Sequence, residues 1–338
     1  MKKFLSMIAA VSLLAASLSA CGASSTASTT AAAAAPAAEG GKEYKVAIVQ
    51  QLDHASLDEI RVAIEAELEA KAAEKGIAIT YKDFNGQNDA TVLNQIGAQV
   101  VSDGYDAIIP IATLAATTMA TATEDNQIPV IYAAISDPGE AQLTGIANVT
   151  GTSDALNTPF ILDMMLKANP DIETVGLLYS NSEANSVTPI REAKEYLDSK
   201  GIAYLEKTGN TTDEILTAAS AMVGRVQAVF TPTDNVVMAA ASAVAEILNE
   251  AGIPHYTGAD SFVTAGAFAT CGVNYTELGT YTADMAVDIL LGGAVPEYHV
   301  MDGGIITVNT ETAAALNLDY SAFHDLAGTV VEVETAAE

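Results

Sequence analysis

Apolar residues run along this chain in short unbroken blocks. Each block is followed by a longer stretch in which they recur every three or four positions. KVAIVQ at 45–50 predicts a strand, and 56–75 a helix with Ser56 as cap and Glu59 completing a capping box. Strands at 77–82, 106–112 and 129–133 then alternate with helices at 89–102 and 113–126. The second half follows the same plan. Strands are expected at 174–179, 202–206, 227–231 and 254–257, with helices at 186–200, 212–223 and 235–250 between them. Continuous apolar strands separated by helices predict parallel sheets covered on both faces.

The halves also share letters. Lys75-Gly76-Ile77-Ala78 and Lys200-Gly201-Ile202-Ala203 are the same tetrapeptide, each at a helix-to-strand junction. An Ile-Pro pair ends 54 residues beyond each lysine, at Pro129 and at Pro254, although Ile109-Pro110 also falls within the first interval. A common helix stop explains the tetrapeptide but not the equal spacing. The fold class expected is therefore α/β, with two similar doubly wound parallel-sheet domains. Beyond them lie a strand-like run at 267–273, a helix at 275–291 and a last strand at 305–308. That late helix is expected to return to the first domain. The chain would then cross between domains near 145–153, 265–274 and 298–306, forming a three-strand hinge.

The first residues change the expected compartment. Lys2 and Lys3 precede an apolar run at 4–14 that is too short to span a bilayer. Leu18-Ser19-Ala20-Cys21 follows, an aliphatic residue and two small ones before a cysteine. This resembles a bacterial lipoprotein signal, which would leave Cys21 lipidated with two acyl chains, enough for stable anchoring. Residues 22–43 are Ala, Ser, Thr and Gly with one Pro, and read as a flexible tether. The expected layout is a leader at 1–20 and a lipidated cysteine with linker at 21–43. A first lobe spans 44–148 plus 274–298, a second 149–273 plus 299–325, and 326–338 is an acidic tail.

Composition narrows the chemistry. Net charge is −29 from 43 acidic and 14 basic residues, and loss of Lys2 and Lys3 takes it to −31. Such a surface repels nucleic acid and anionic membranes, leaving the lipid as the expected membrane contact. Cys271 is the other cysteine of two, so no intrachain disulfide is available once Cys21 is lipidated. It lies in an apolar run and reads as a buried, inert thiol. His54, His255, His299 and His324 show no metal-ligand spacing. The chain has no Gly-x-Ser-x-Gly elbow and no Walker loop. No catalytic residue, metal or cofactor is expected.

Four stretches carry a resemblance: 148–154 (NVTGTSD), 179–186 (YSNSEANS), 232–235 (PTDN) and 259–262 (ADSF). With them, the chain from about Lys45 to about Leu318 resembles type I periplasmic binding proteins. More narrowly, it resembles the ABC-transporter substrate-binding family whose characterised members bind tryptophan, phenylalanine or tyrosine. The resemblance implies a monomeric receptor held outside the cell membrane, with permease and ATPase subunits as partners. A sensing role beside a signalling receptor stays open, as does a sugar or nucleoside ligand.

The residues place the site independently. Ligands of parallel α/β sheets sit beyond the carboxyl ends of strands. The first-lobe loops there offer Gln51, His54, Thr113, Leu114, Ser136 and Asp137. Those of the second offer Asn181, Glu183, Asn185, Ser186, Thr233, Asp234, Asn235 and Asp260. Each polar member also has an ordinary use, capping the helix that follows. Helix starts at Ser56, Thr113 and Ser186 would favour a ligand carboxylate. Asp234, ahead of Glu183 and Asp260, would accept an ammonium group. Leu114, Phe262 and Phe84 are candidates for an apolar wall. Together these suit a free amino acid, aromatic or large apolar.

Overall fold

The computed structural model describes residues 42–327 and 329–336, so the expected leader, Cys21 and nearly all of the tether lie outside the described residues. Strand β1 (Glu43–Gln50) shows why the apolar blocks are unbroken. Val46 and Ile48 face one core, Ala47 and Val49 the opposite one. Helix α1 (Ala55–Lys75) covers the first of these with Leu57, Ile60, Ile64 and Leu68, all buried at helical spacing. There follow β2 (Ala78–Asn85), α2 (Ala90–Ser102), β3 (Ala107–Ile111), α3 (Thr113–Ala122), β4 (Val130–Tyr132) and β5 (Val149–Ser153). Helices α2 and α3 cover the other face with Leu93, Val100, Ala115 and Met119.

The second lobe begins with α4 (Thr158–Ala168). Then come β6 (Thr174–Tyr179), α5 (Val187–Lys200), β7 (Ala203–Thr208), α6 (Thr212–Ser220), β8 (Ala228–Thr231), α7 (Asn235–Met238) and α8 (Ala241–Glu250). Strand β9 (His255–Thr257), α9 (Asp260–Thr264) and β10 (Ala269–Gly272) complete its repeat. The last elements are α10 (Tyr275–Leu290), β11 (His299–Val300), β12 (Ile305–Asn309), α11 (Thr310–Ala315) and β13 (Thr329–Val333).

The sheets run β2-β1-β3-β4-β5-β11 and β7-β6-β8-β9-β10-β12-β13, the same doubly wound order in both lobes. Every pairing is parallel except β10 with β12. The repeated tetrapeptide falls at matching points. Lys75 and Lys200 end α1 and α5, and Gly76 (φ 64) and Gly201 (φ 70) adopt the left-handed conformation that closes each helix. Ala78 and Ala203 then open the edge strands, opposite Glu43 and Thr174, the first residues of β1 and β6.

Helix α10 does cross back. It packs along α1, and Gly279 permits the approach, because a Cβ there would lie 2.6 Å from the Ile60 carbonyl oxygen. The chain passes between lobes after β5, after β10 and after β11.

Three expected boundaries shift. Strand β5 was placed in the second lobe, yet it pairs with β4 in the first. Its polar letters, VTGTS, disguise a fully buried strand, in which the Thr152 hydroxyl meets Thr282 of α10 at 2.7 Å. His299 and Val300 also belong to the first sheet, beside Thr152 and Ser153. The stretch from 326 is not a tail throughout, since β13 runs parallel to β12 from Thr329 to Val333. It covers what would be an open sheet edge. Cys271 is buried in the second lobe's core, where burial pushes its thiol up to about 11.

Candidate functional site

The carboxyl ends of β1, β3 and β4 face those of β6, β8 and β9 across a narrow pocket lined from both lobes. From the first lobe come His54, Ser56, Leu57, Ala112, Thr113, Ala134 and Ser136. From the second come Asn185, Thr233, Asp234, Asn235, Met238, Ala259, Ser261 and Phe262. The hinge adds Asp154 and Tyr275.

Direct contacts hold the lobes together around it. His54 Nε2 lies 3.0 Å from Asn235 Oδ1, and Gln51 Nε2 donates to Glu183 Oε1 at 3.2 Å. Ser136 Oγ is 3.0 Å from Thr233 Oγ1, and Ser56 Oγ donates to Ser261 Oγ at 2.5 Å. Thr188 Oγ1 donates to Asp137 Oδ2 at 2.7 Å.

Ser56 is therefore not the cap of α1. The helix starts one residue earlier on extended His54, which makes no side-chain cap bond, and the serine hydroxyl is left free to reach the other lobe. Glu59, the other half of the expected box, accepts instead from Thr276 Oγ1. Helix α3 likewise starts without a side-chain cap, on Ala112 at φ 74. Gln51 Oε1 takes one of its first N–H groups, that of Leu114, at 2.9 Å. Two long helices thus turn weakly capped N-termini toward the pocket, where partial positive charge favours an anion.

The carboxylates divide by their partners. Asp234, the expected ammonium partner, is fully buried and already saturated. Its Oδ2 accepts from the Ser180 N–H and Ser186 Oγ, each at 2.7 Å. Its Oδ1 accepts from the N–H groups of Val236 and Val237. A carboxylate has about four acceptor positions, and all are used inside one lobe. The capping use wins, and the same bond removes Ser186 from the list of carboxylate partners. Ser186 also precedes α5 within a short 3₁₀ turn instead of opening the helix.

Asp154 is different. It is 4% exposed, and among the described residues the side chains that donate to it are those of Ser136, whose hydroxyl meets Oδ1 at 3.0 Å, and Tyr275, whose hydroxyl meets Oδ2 at 3.3 Å. Among the described residues no Lys or Arg lines the pocket. Burial holds the Asp154 carboxyl above its usual range. Acceptor positions remain open on both oxygens. Sequence reasoning missed Asp154 and Tyr275. The first sits in a quoted stretch, but only the folded hinge shows that it faces the pocket.

The remaining expected residues are scattered. His54, Thr113, Ser136, Asn185, Thr233 and Asn235 do line the pocket. Gln51 and Glu183 stand beside it as an inter-lobe contact, and Leu114 joins them through its N–H alone. Asn181 is exposed and turned toward Thr208. Asp137 caps its own turn through the Gly139 and Glu140 N–H groups. Asp260 opens α9 outside the pocket, where burial and then neighbouring Glu59 raise its carboxyl. Of the apolar candidates Phe262 lines the pocket, joined by Leu57 and Met238, whereas Phe84 packs on Tyr105.

Comparison with known proteins agrees with the two-lobed fold. The chain is 31% identical over 324 residues to the tyrosine-binding protein of Clostridioides difficile, covering 94% of this chain and 93% of that one. An ABC domain from Streptococcus pneumoniae, solved with L-Trp, matches with 30% identity and a TM-score of 0.80 over 86% of this chain and all of that one. A substrate-binding protein with adhesive properties from Clostridium difficile, solved open and free of ligand, is 32% identical. Its TM-score is 0.66 over 87% of this chain and all of that one. At nearly equal identity the tryptophan-bound structure superposes better, which matches the inter-lobe contacts seen here. The family model for ABC transporter substrate binding proteins spans residues 45–323, and the chain belongs to that family.

Proposed function

We propose that this chain is the lipid-anchored, extracytoplasmic receptor of an ABC importer, closing its lobes on a free aromatic α-amino acid. The observation that carries the ligand class is the presence in one pocket of Asp154 and of the weakly capped starts of α1 and α3. A buried carboxylate without a cation suits an ammonium group, and helix starts suit a carboxylate. A zwitterion supplies both. Leu57, Met238 and Phe262 supply an apolar wall of the kind an aromatic side chain needs. The two relatives named for tyrosine and tryptophan support the same reading. In it Thr113 meets the ligand carboxylate, and Ser136, Thr233 and Asn185 flank the ammonium. Closure would present one joined surface to permease and ATPase subunits. No helix among the described residues is long and apolar enough to cross a membrane. In this reading the lipid on Cys21 is the anchor.

A thermal-shift screen of the twenty amino acids, common nucleosides and sugars tests the ligand class. An aromatic amino acid at a hundredfold excess over its Kd should stabilise the fold by about 2.7 kcal/mol. Stabilisation by a sugar or nucleoside alone would reject the amino-acid reading and leave the receptor reading standing.

A further inference from the structure

Two side chains of the pocket lining, His54 and Asn185, each hold a buried polar atom with no partner among the described residues. His54 Nε2 lies 3.0 Å from Asn235 Oδ1, whose own Nδ2 donates to Glu183 Oε2 at 2.7 Å. With its amide nitrogen turned to Glu183, Asn235 offers an oxygen to His54. His54 Nε2 must then carry the proton, and Nδ1 is left as a bare acceptor. Nδ1 is buried and has no hydrogen-bond partner among the described residues. Burial lowers the imidazole below its usual range, so the ring is neutral near pH 7 and keeps that lone pair. His54 shares the pocket lining with Leu57, one helical turn on, and with Met238, at the end of the helix that Asn235 opens. The hinge end, with Asp154, Ser136 and Tyr275, already answers the ligand's ammonium.

Building on the amino-acid reading, we infer that His54 selects the ligand's side chain. Its Nδ1 accepts a hydrogen bond from a phenol O–H or indole N–H and discriminates against a bare phenyl ring. A buried acceptor left unpaired by the wrong ligand is a stronger filter than shape, because lost methylene-sized contacts discriminate only modestly.

Calorimetry with matched ligand pairs tests this. The pairs are tyrosine against phenylalanine, and tryptophan against benzothienylalanine, in which sulfur replaces the indole N–H. In at least one pair the donor-bearing ligand should bind the wild type about ten- to a hundredfold more tightly. His54→Gln places an amide N–H near Nε2 and nothing at Nδ1, so it should erase that preference. His54→Asn keeps an acceptor near Nδ1 and should preserve most of it. Equal binding within both pairs, or full preference in His54→Gln, overturns the inference and leaves the amino-acid reading intact. Failure of every amino acid to bind overturns both.

Discussion

Gln51 in the first lobe donates to Glu183 in the second at 3.2 Å, and the other oxygen of Glu183 accepts from Asn235 Nδ2 at 2.7 Å. Through Gln51 Oε1 the contact also reaches the Leu114 N–H in the first turn of α3. The carboxylate that joins the lobes is thus tied to a helix start facing the pocket. Burial first, and nearby Asp234 second, push Glu183 up to about 7. The folded molecule therefore holds the proton more tightly than the unfolded chain does. The resulting stability is fully present below the ordinary value of 4.5 and lost as pH rises through about 7. Asp154, Asp234 and Asp260 are raised in the same direction, and His54 is lowered. The comparison must therefore be with Glu183→Gln. Thermal melts from pH 4.5 to 8 should show the wild type losing stability relative to that variant. A difference independent of pH would count against the titration of Glu183.

Asp154→Asn should weaken binding of the preferred amino acid by at least about tenfold, the equivalent of 1.4 kcal/mol. A charge-assisted bond contributes roughly 1.5–3 kcal/mol, and the amide keeps one acceptor. The melting temperature should hold or rise, because a buried charge without a cation is removed. Unchanged affinity by calorimetry would exclude Asp154 as the ammonium partner.

Asp234→Ala should behave in the opposite way. The substitution strands the Ser180 N–H, the Ser186 hydroxyl and the first N–H groups of α7. Loss of a helix cap costs about 1 kcal/mol, and each buried unpaired group adds roughly 1–3. Urea unfolding should therefore show a loss of at least about 2 kcal/mol, while the folded fraction keeps its affinity. An affinity loss without destabilisation would return Asp234 to the ligand.

Cys21→Ala should leave the chain unprocessed or release it from the membrane fraction. Normal processing and unchanged fractionation would reject the lipid anchor.

Much of the architecture was legible in the letters. The unbroken strands, the Lys-Gly-Ile-Ala repeat and the return of the 275–291 helix depend on local periodicity and on the left-handed conformation that Gly76 and Gly201 readily adopt. The loops that form the pocket were also placed, because parallel sheets open at their carboxyl ends. Strand β5 was misassigned to the second lobe, and β13 was read as tail. Thr152 is acceptable inside a sheet only because α10 brings Thr282 to its hydroxyl. Asp154 and Asp234 show the same limit within the site. Both are buried acids in polar loops, and the sequence reading singled out Asp234 while passing over Asp154. Partners brought from far along the chain decided between them. Asp234 takes the Ser180 N–H and the Ser186 hydroxyl, more than forty residues away, on top of its local cap bonds, whereas Asp154 meets the hydroxyls of Ser136, in the loop after β4, and of Tyr275, in α10. A carboxylate's chemistry depends on which donors the fold delivers to it, and only the tertiary structure sets that supply.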